Sequence, residues 1–253
     1  MCASLLLLLG FFTQVTTDRC PYVVELKDLG ATVVCNRKGE PTGVFLPKSG
    51  RFDRSDIGKV FQLRGVETLI VAHPLFTDSE CGELIHLQSL RRLDLSDNRR
   101  ISSRGMTLIG NLQALEILTL DNTCLDDEGL AGISRIPTLK ELWIRGTDVT
   151  SAGLVHIRRL QCLEVLDLSG TGVDSVGLAF IQGHPRIEVM VLDDTRVDDD
   201  GLNHLATLQR LTTLYLQNTL VTAQGVSSLR HALPKTRVYW KAEEVDSGRR
   251  IRR

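Results

Sequence analysis

The stretch LEILTLDNTCLDDEGLAGISRIPT, residues 115–138, is matched by LEVLDLSGTGVDSVGLAFIQGHPR, residues 163–186. Both read L-x-x-L-x-L-x-x-T-x-φ, then a polar residue, then G-L-x-x-φ. From this pair the chain divides outward without forcing into units 66–89, 90–114, 115–138, 139–162, 163–186, 187–210 and 211 to about 235. Self-similarity at 24 or 25 residues signals a stacked repeat architecture, in which one unit alone cannot bury its apolar face.

Each position has a physical task. The fourth and sixth residues (Leu118 and Leu120, Leu142 and Ile144, Leu166 and Leu168, Met190 and Leu192, Leu214 and Leu216) fall on one side of a short strand and form the core. Twelve places into each unit, thirteen in the 25-residue unit 90–114, stands Thr77, Ser102, Asp126, Thr150, Asp174, Asp198 or Thr222, each a side chain suited to cap a helix N-terminus. Apolar residues then recur at helical spacing, as in Leu130, Ile133 and Ile136, or Leu202, Leu205 and Leu208. At position nine, Asn98 is followed by Thr123, Thr147, Thr171, Thr195 and Thr219, a column expected to satisfy backbone groups of adjacent turns. The expected fold is therefore an α/β solenoid with a parallel strand row and a helical outer side.

A degenerate earlier unit, GVFLPKSGRFDRSDIGKVFQLRG, has Leu46 as a strand residue, Asp53 as cap and Ile57, Val60 and Leu63 as its helix stripe, for about eight turns in all. Ahead of it, residues 20–43 read as a helix ending at Gly30, a strand through Val33 and Val34 and a turn at Asn36 to Glu40, suited to cover an exposed solenoid end. The repeats are assigned to 44–235. Residues 236–253 then supply a last strand, Thr236 to Trp240, and a polar tail closing on Arg249, Arg250, Arg252 and Arg253. Residues 1–19 contain the apolar run ASLLLLLGFF, which is short for a bilayer span but of the length of a signal-peptide core; no Lys or Arg precedes it. Cytoplasmic and exported locations both stay open. So does pairing of Cys20 with Cys35, the two cysteines flanking the N-terminal helix–strand unit.

A formal net charge of −1 points neither to a nucleic-acid binder nor to a strongly acidic tail. No GxSxG, phosphate loop or HExxH is present, and no cysteine has an identifiable histidine and orienting group. His156 and His204 occupy equivalent positions two repeats apart, roughly 10 Å at ordinary repeat spacing and too far to share a metal ion. The acidic run from Asp193 to Asp200 lacks the ligand spacing of an EF-hand loop. The expectation is a non-enzymatic chain with no cofactor and no transmembrane segment.

Side chains at the second, third, fifth, seventh and eighth positions should point away from the core. Across the strand row these include Glu67, Asp94, Asp97, Glu116, Asp121, Glu141, Glu164, Asp167, Glu188, Asp193 and Asp194, against Arg91, Arg92, Lys140 and Arg145. Eleven acids less four bases leaves −7 on a face of a nearly neutral chain, which favours a basic protein or peptide as partner. The fifth positions run Ile70, Asp94, Thr119, Trp143, Asp167, Val191 and Tyr215, placing two aromatic anchors on that surface. The candidate contact residues are Asp94, Asp121, Trp143, Arg145, Asp167, Asp193 and Tyr215.

These repeats resemble the leucine-rich-repeat superfamily, specifically its ribonuclease-inhibitor-like and cysteine-containing classes, and are similar to the bacterial-type consensus L-x-x-L-x-L-x-x-T-x-[VI]-[TS]-D-x-G-L-x-x-L. That motif is carried by Leu139, Leu142, Ile144, Thr147, Val149, Thr150, Gly153 and Leu154, and again by Leu211, Leu214, Leu216, Thr219, Val221, Thr222, Gly225 and Val226. The resemblance covers about residues 44–240. It implies a right-handed horseshoe with concave strands and convex helices, and recognition of proteins through the concave face. Some cysteine-containing members act as substrate-recognition arms of ubiquitin ligases, so an adaptor role without an F-box of its own is the alternative it implies.

Overall fold

The computed structural model describes residues 20–240; the signal-like segment 1–19 and residues 241–253 of the basic tail lie outside the described residues. The chain opens with α1 (Pro21–Asp28), which buries Val23 and Leu26 and gives way at Gly30, whose φ of 104° only glycine adopts readily. A hairpin follows, β1 (Thr32–Cys35) against β2 (Pro41–Leu46), with Val33 opposite Val44. The Asn36 side chain closes its turn by accepting the backbone N–H groups of Lys38 and Glu40. Cys20 and Cys35 are free thiols.

From β2 onward every pairing is parallel: β3 (Thr68–Val71), β4 (Arg92–Asp94), β5 (Ile117–Thr119), β6 (Glu141–Trp143), β7 (Val165–Asp167), β8 (Val189–Val191), β9 (Thr213–Tyr215) and β10 (Arg237–Tyr239). Together with the hairpin they make one ten-stranded sheet in strict chain order. The register stacks Leu69, Leu93, Leu118, Leu142, Leu166, Met190 and Leu214 directly over one another, all buried. This apolar column and the sixth-position column beside it are the core, each side chain contributing on the order of 1.5–3 kcal/mol by leaving water.

Between strands come α2 (Arg54–Val60), α3 (Asp78–Glu83), α4 (Ser103–Ile109), α5 (Asp127–Ile133), α6 (Ser175–Leu178), α7 (Asp199–Leu205) and α8 (Ala223–Ala232). All seven expected caps, Thr77 to Thr222, stand immediately before a helix, as does Asp53 before α2. The outer helices are shorter than the apolar stripes suggested: Ile136 and Leu208 lie beyond α5 and α7, buried in the return turn. In the unit 139–162 the outer element, Ser151–Arg159, is a 3-10 helix. Helices of two turns are far below the length that is stable alone, so their order depends on the neighbouring coils.

An inter-repeat clamp runs along the helix starts. From α3 onward, the first helical residue of one turn and the cap of the next form an acid–hydroxyl pair, in either order. Asp78 accepts from Ser102, Asp127 from Thr150 and Asp199 from Thr222, each carboxylate taking both the backbone N–H and the hydroxyl. Elsewhere the order is reversed: the hydroxyls of Ser103, Ser151 and Ser175 donate to Asp126, Asp174 and Asp198. The glycine of the G-L pair sits under this clamp. A Cβ on Gly177 would lie 2.8 Å from Ser151 Cα, and one on Gly201 2.8 Å from Ser175 Oγ, so the helices approach too closely for a side chain there.

The position-nine column departs from expectation. Each threonine hydroxyl donates within its own turn, to the carbonyl three residues back: Thr123 to Leu120, Thr147 to Ile144, Thr171 to Leu168, Thr195 to Leu192 and Thr219 to Leu216. A hydroxyl is too short to cross between coils at this point. The longer Asn98 does so, its Nδ2 donating 2.6 Å to Val71 O of the previous turn as well as to Leu95 O.

Candidate functional site

The concave face is defined by the strand residues on either side of the buried fourth position. In the fifth row Asp94, Thr119, Trp143, Asp167, Val191 and Tyr215 lie in register on β4 to β9, and Tyr239 on β10 continues the row. Parallel pairing at about 4.8 Å fixes the spacing between them. Four candidate residues thus share one row: Trp143 and Asp167 are direct neighbours, and Tyr215 stands two strands further on. Asp94 belongs to the same row, two strands before Trp143.

These side chains are held rather than splayed. Trp143 is 6% exposed, Tyr215 8% and Asp167 0%. The Trp143 indole N–H donates 3.1 Å to Glu141 Oε2, and Tyr215 stacks on Tyr239 with ring centroids 4.8 Å apart. Asp94 Oδ1 accepts the backbone N–H and hydroxyl of Ser96, and Asp167 Oδ1 accepts the same pair from Ser169. The same residue type thus fixes both turns, with Asp94 half-buried and Asp167 fully buried.

The seventh row uses its acids differently. Asp121 Oδ1 accepts the backbone N–H of Arg145 at 2.9 Å, and Asp193 Oδ1 that of Gln217 at 2.7 Å, so each carboxylate ties its turn to the following one. Arg145 itself is exposed, with its guanidinium 3.9 Å from Asp194 Oδ2. Arg91 and Lys140 both reach Glu116, and hydrogen bonds from Lys140 and then Arg91 hold its carboxyl below the ordinary range. Three of the four bases counted on this face are therefore engaged with acids of the face itself.

The eighth position carries a signal that the charge count passed over. Asp97, Asn122, Gly146, Gly170, Asp194 and Asn218 all adopt positive φ, between 57° and 64°. Asp, Asn and Gly are the residues that tolerate this conformation, so the column could have been read from residue type alone. Asn122 donates to Asp97 and Asn218 to Asp194, so these two acids belong to the turn as well as to the face. Tyr239, the aromatic stack partner, was also missed, because it lies in the closing strand outside the regular units.

Among the described residues no three His, Cys, Asp or Glu side chains converge as a metal site, and no helix is long and apolar enough to cross a membrane. His184, on the return turn of the unit 163–186, is buried against Leu160 O at 3.1 Å, and that burial lowers its pKa.

A family model described as leucine-rich repeat matches residues 86–110 and 159–181. No curated protein matches the chain significantly. Among solved structures, a leucine-rich-repeat protein of Leptospira interrogans superposes with a TM-score of 0.51 at 20% identity, over 71% of this chain and 44% of that one. Internalin C2 of Listeria monocytogenes superposes with a TM-score of 0.52 at 21% identity, over 64% of this chain and 73% of that one. This chain thus spans less than half the length of the Leptospira protein. The repeats matched by the family model, the in-register parallel sheet and these two superpositions together make the molecule an α/β leucine-rich-repeat solenoid.

Proposed function

We propose that the chain is a non-enzymatic interaction scaffold that binds a basic protein or peptide on its concave face. The observation that carries this reading is the arrangement of acids along the strand row. Asp94, Asp121, Asp167 and Asp193 are fixed by backbone or serine donors, while Arg91, Lys140 and Arg145 lie against acids of the same face. Carboxylates held in place by the scaffold lose little freedom on binding, and a row of one sign steers a cation of matching pitch.

The test is a panel of fluorescent twelve-residue peptides of charge about +4, 0 and −4 with the same apolar content, titrated by anisotropy onto the full chain. The expected order is basic, then neutral, then acidic, with the basic affinity falling steeply as salt is raised through about 0.15 M. Equal affinities, or a basic affinity unmoved by salt, would rule the reading out.

A further inference from the structure

The outer side of the coil carries an apolar patch that binding on the concave face does not use. Val176, on α6, is 71% exposed, and Phe180, on the 3-10 turn Ala179–Ile181 that continues it, is 42% exposed. Four residues apart, they share one outward face. Ala179 is exposed beside them, and the adjoining turn adds exposed Ala152 and half-buried Val155. The 24-residue repeat shows what other turns put at the same places. Where Val176 stands, units 115–138 and 187–210 carry Glu128 and Asp200; where Phe180 stands, the flanking units carry His156 and His204. Large apolar side chains kept in water where neighbouring turns are polar mark a contact surface.

Charge is sorted across the same surface. The outer elements all run one way, because each joins two parallel strands. Along those from α5 to α7 the exposed acids, Glu128 and Asp200, stand at helix starts. The exposed bases stand at the other end, Arg158 and Arg159 closing their helix and Arg186 and Arg210 in the return turns. Such a face is complementary to itself. Two copies in face-to-face contact are related by a two-fold axis lying in the plane of contact. An axis along the row of turns sets the helices antiparallel, lays Val176 and Phe180 on their own counterparts, and brings helix-start acids against helix-end arginines. An axis along the helices instead sets starts against starts and ends against ends, like charge on like.

We propose that the outer face over units 139–210 binds a second copy of this chain, as an antiparallel two-fold pair centred on Val176 and Phe180. Three turns at roughly 10 Å spacing, each about 18 Å long for an element such as Ser151–Arg159, present about 540 Å² per copy. The pair then buries about 1,100 Å² in all, at the low end for specific contacts, so it forms reversibly with a dissociation constant in the micromolar range. Both concave faces stay open in this pair, which does not rest on the basic-ligand reading.

The experiment is sedimentation velocity of the full chain from about 1 to 200 µM, where a monomer–dimer equilibrium is expected. V176D/F180H gives unit 163–186 the residue types that unit 187–210 already carries at these places. It should weaken the dimer at least about ten-fold with the circular dichroism unchanged. Charge reversal tests the arrangement: R158E/R159E in one chain and E128R/D200R in another should each weaken self-association, and an equal mixture of the two should recover a dimer. A chain that stays monomeric throughout, or a dimer indifferent to V176D/F180H, would overturn the proposal. Failure of the two charge-reversed chains to pair on mixing would overturn the antiparallel arrangement and the proposal with it.

Discussion

The outer edge of the coil and its inner face are both lined with aspartate, and they use it in opposite ways. At the outer edge the acid is one half of a clamp whose other half is a serine or threonine one turn away, and the pair occurs in either order: Asp127 with Thr150, then Ser151 with Asp174. The pair is kept while its order is free, as expected for a purely structural contact. On the inner face no such rule holds. Asp94 and Asp167 fix their own turns, Asp121 and Asp193 tie to the next, and the equivalent places elsewhere hold Thr119, Trp143 or Tyr215. A face that varies against a constant scaffold is what recognition of an irregular partner requires.

The comparison breaks first at the glycines under the clamp. Gly177→Val should destabilise the fold by about 3 kcal/mol, because the added Cβ meets Ser151 backbone. Gly58→Ala on α2, with nothing within 4 Å of the added carbon, should be neutral or stabilising by up to about 1 kcal/mol. Urea midpoints at unchanged slope would measure both; equal losses would mean that close helix approach does not constrain this position. Next is the clamp itself. Asp127→Ser alone should cost about 1–2 kcal/mol, and adding Thr150→Asp should restore at least half, since the hydroxyl then precedes the carboxylate, the order already used by Ser151 and Asp174. Additive losses in the double-mutant cycle would show that the two side chains are not coupled.

Acid should sharpen the contrast further. Hydrogen bonds from Ser151 to Asp174 and from Ser175 to Asp198 lower both carboxyl pKa values. A depressed folded pKa gives stability that is fully present above the unfolded value of about 3.9 and is lost as pH falls through the folded value. The melting temperature should therefore drop between about pH 4 and pH 2, and the drop should be shallower in Asp174→Asn/Asp198→Asn. An unchanged slope would remove the clamp from the acid response. The smallest stability effect belongs to the inner face: Asp193→Asn/Asp194→Asn should stay within about 0.5 kcal/mol of wild type while weakening basic-peptide binding several-fold.

What was legible in the sequence follows the range of each interaction. Helix caps act within three residues, so Thr77, Ser102, Asp126, Thr150, Asp174, Asp198 and Thr222 were all readable from local pattern, and so was the Leu column. The short outer helices and the 3-10 run at Ser151–Arg159 were not, because an apolar stripe marks burial whether or not the helix continues beneath it. On the inner face the pattern shows where a carboxylate stands but not what it accepts. Asp194 and Asp97 read as surface charge, yet their positive φ and their asparagine partners make them turn residues too.

The most direct test of concave recognition is carboxylate footprinting: carbodiimide labelling of the full chain with and without a saturating basic peptide, mapped by mass spectrometry. Concave binding predicts protection at Glu164, Glu188, Asp193 and Asp194, with Glu128 and Asp200 on the outer side labelled equally in both samples. Protection at Glu128 and Asp200 with the inner acids unchanged would contradict it and move the binding surface to the helical side.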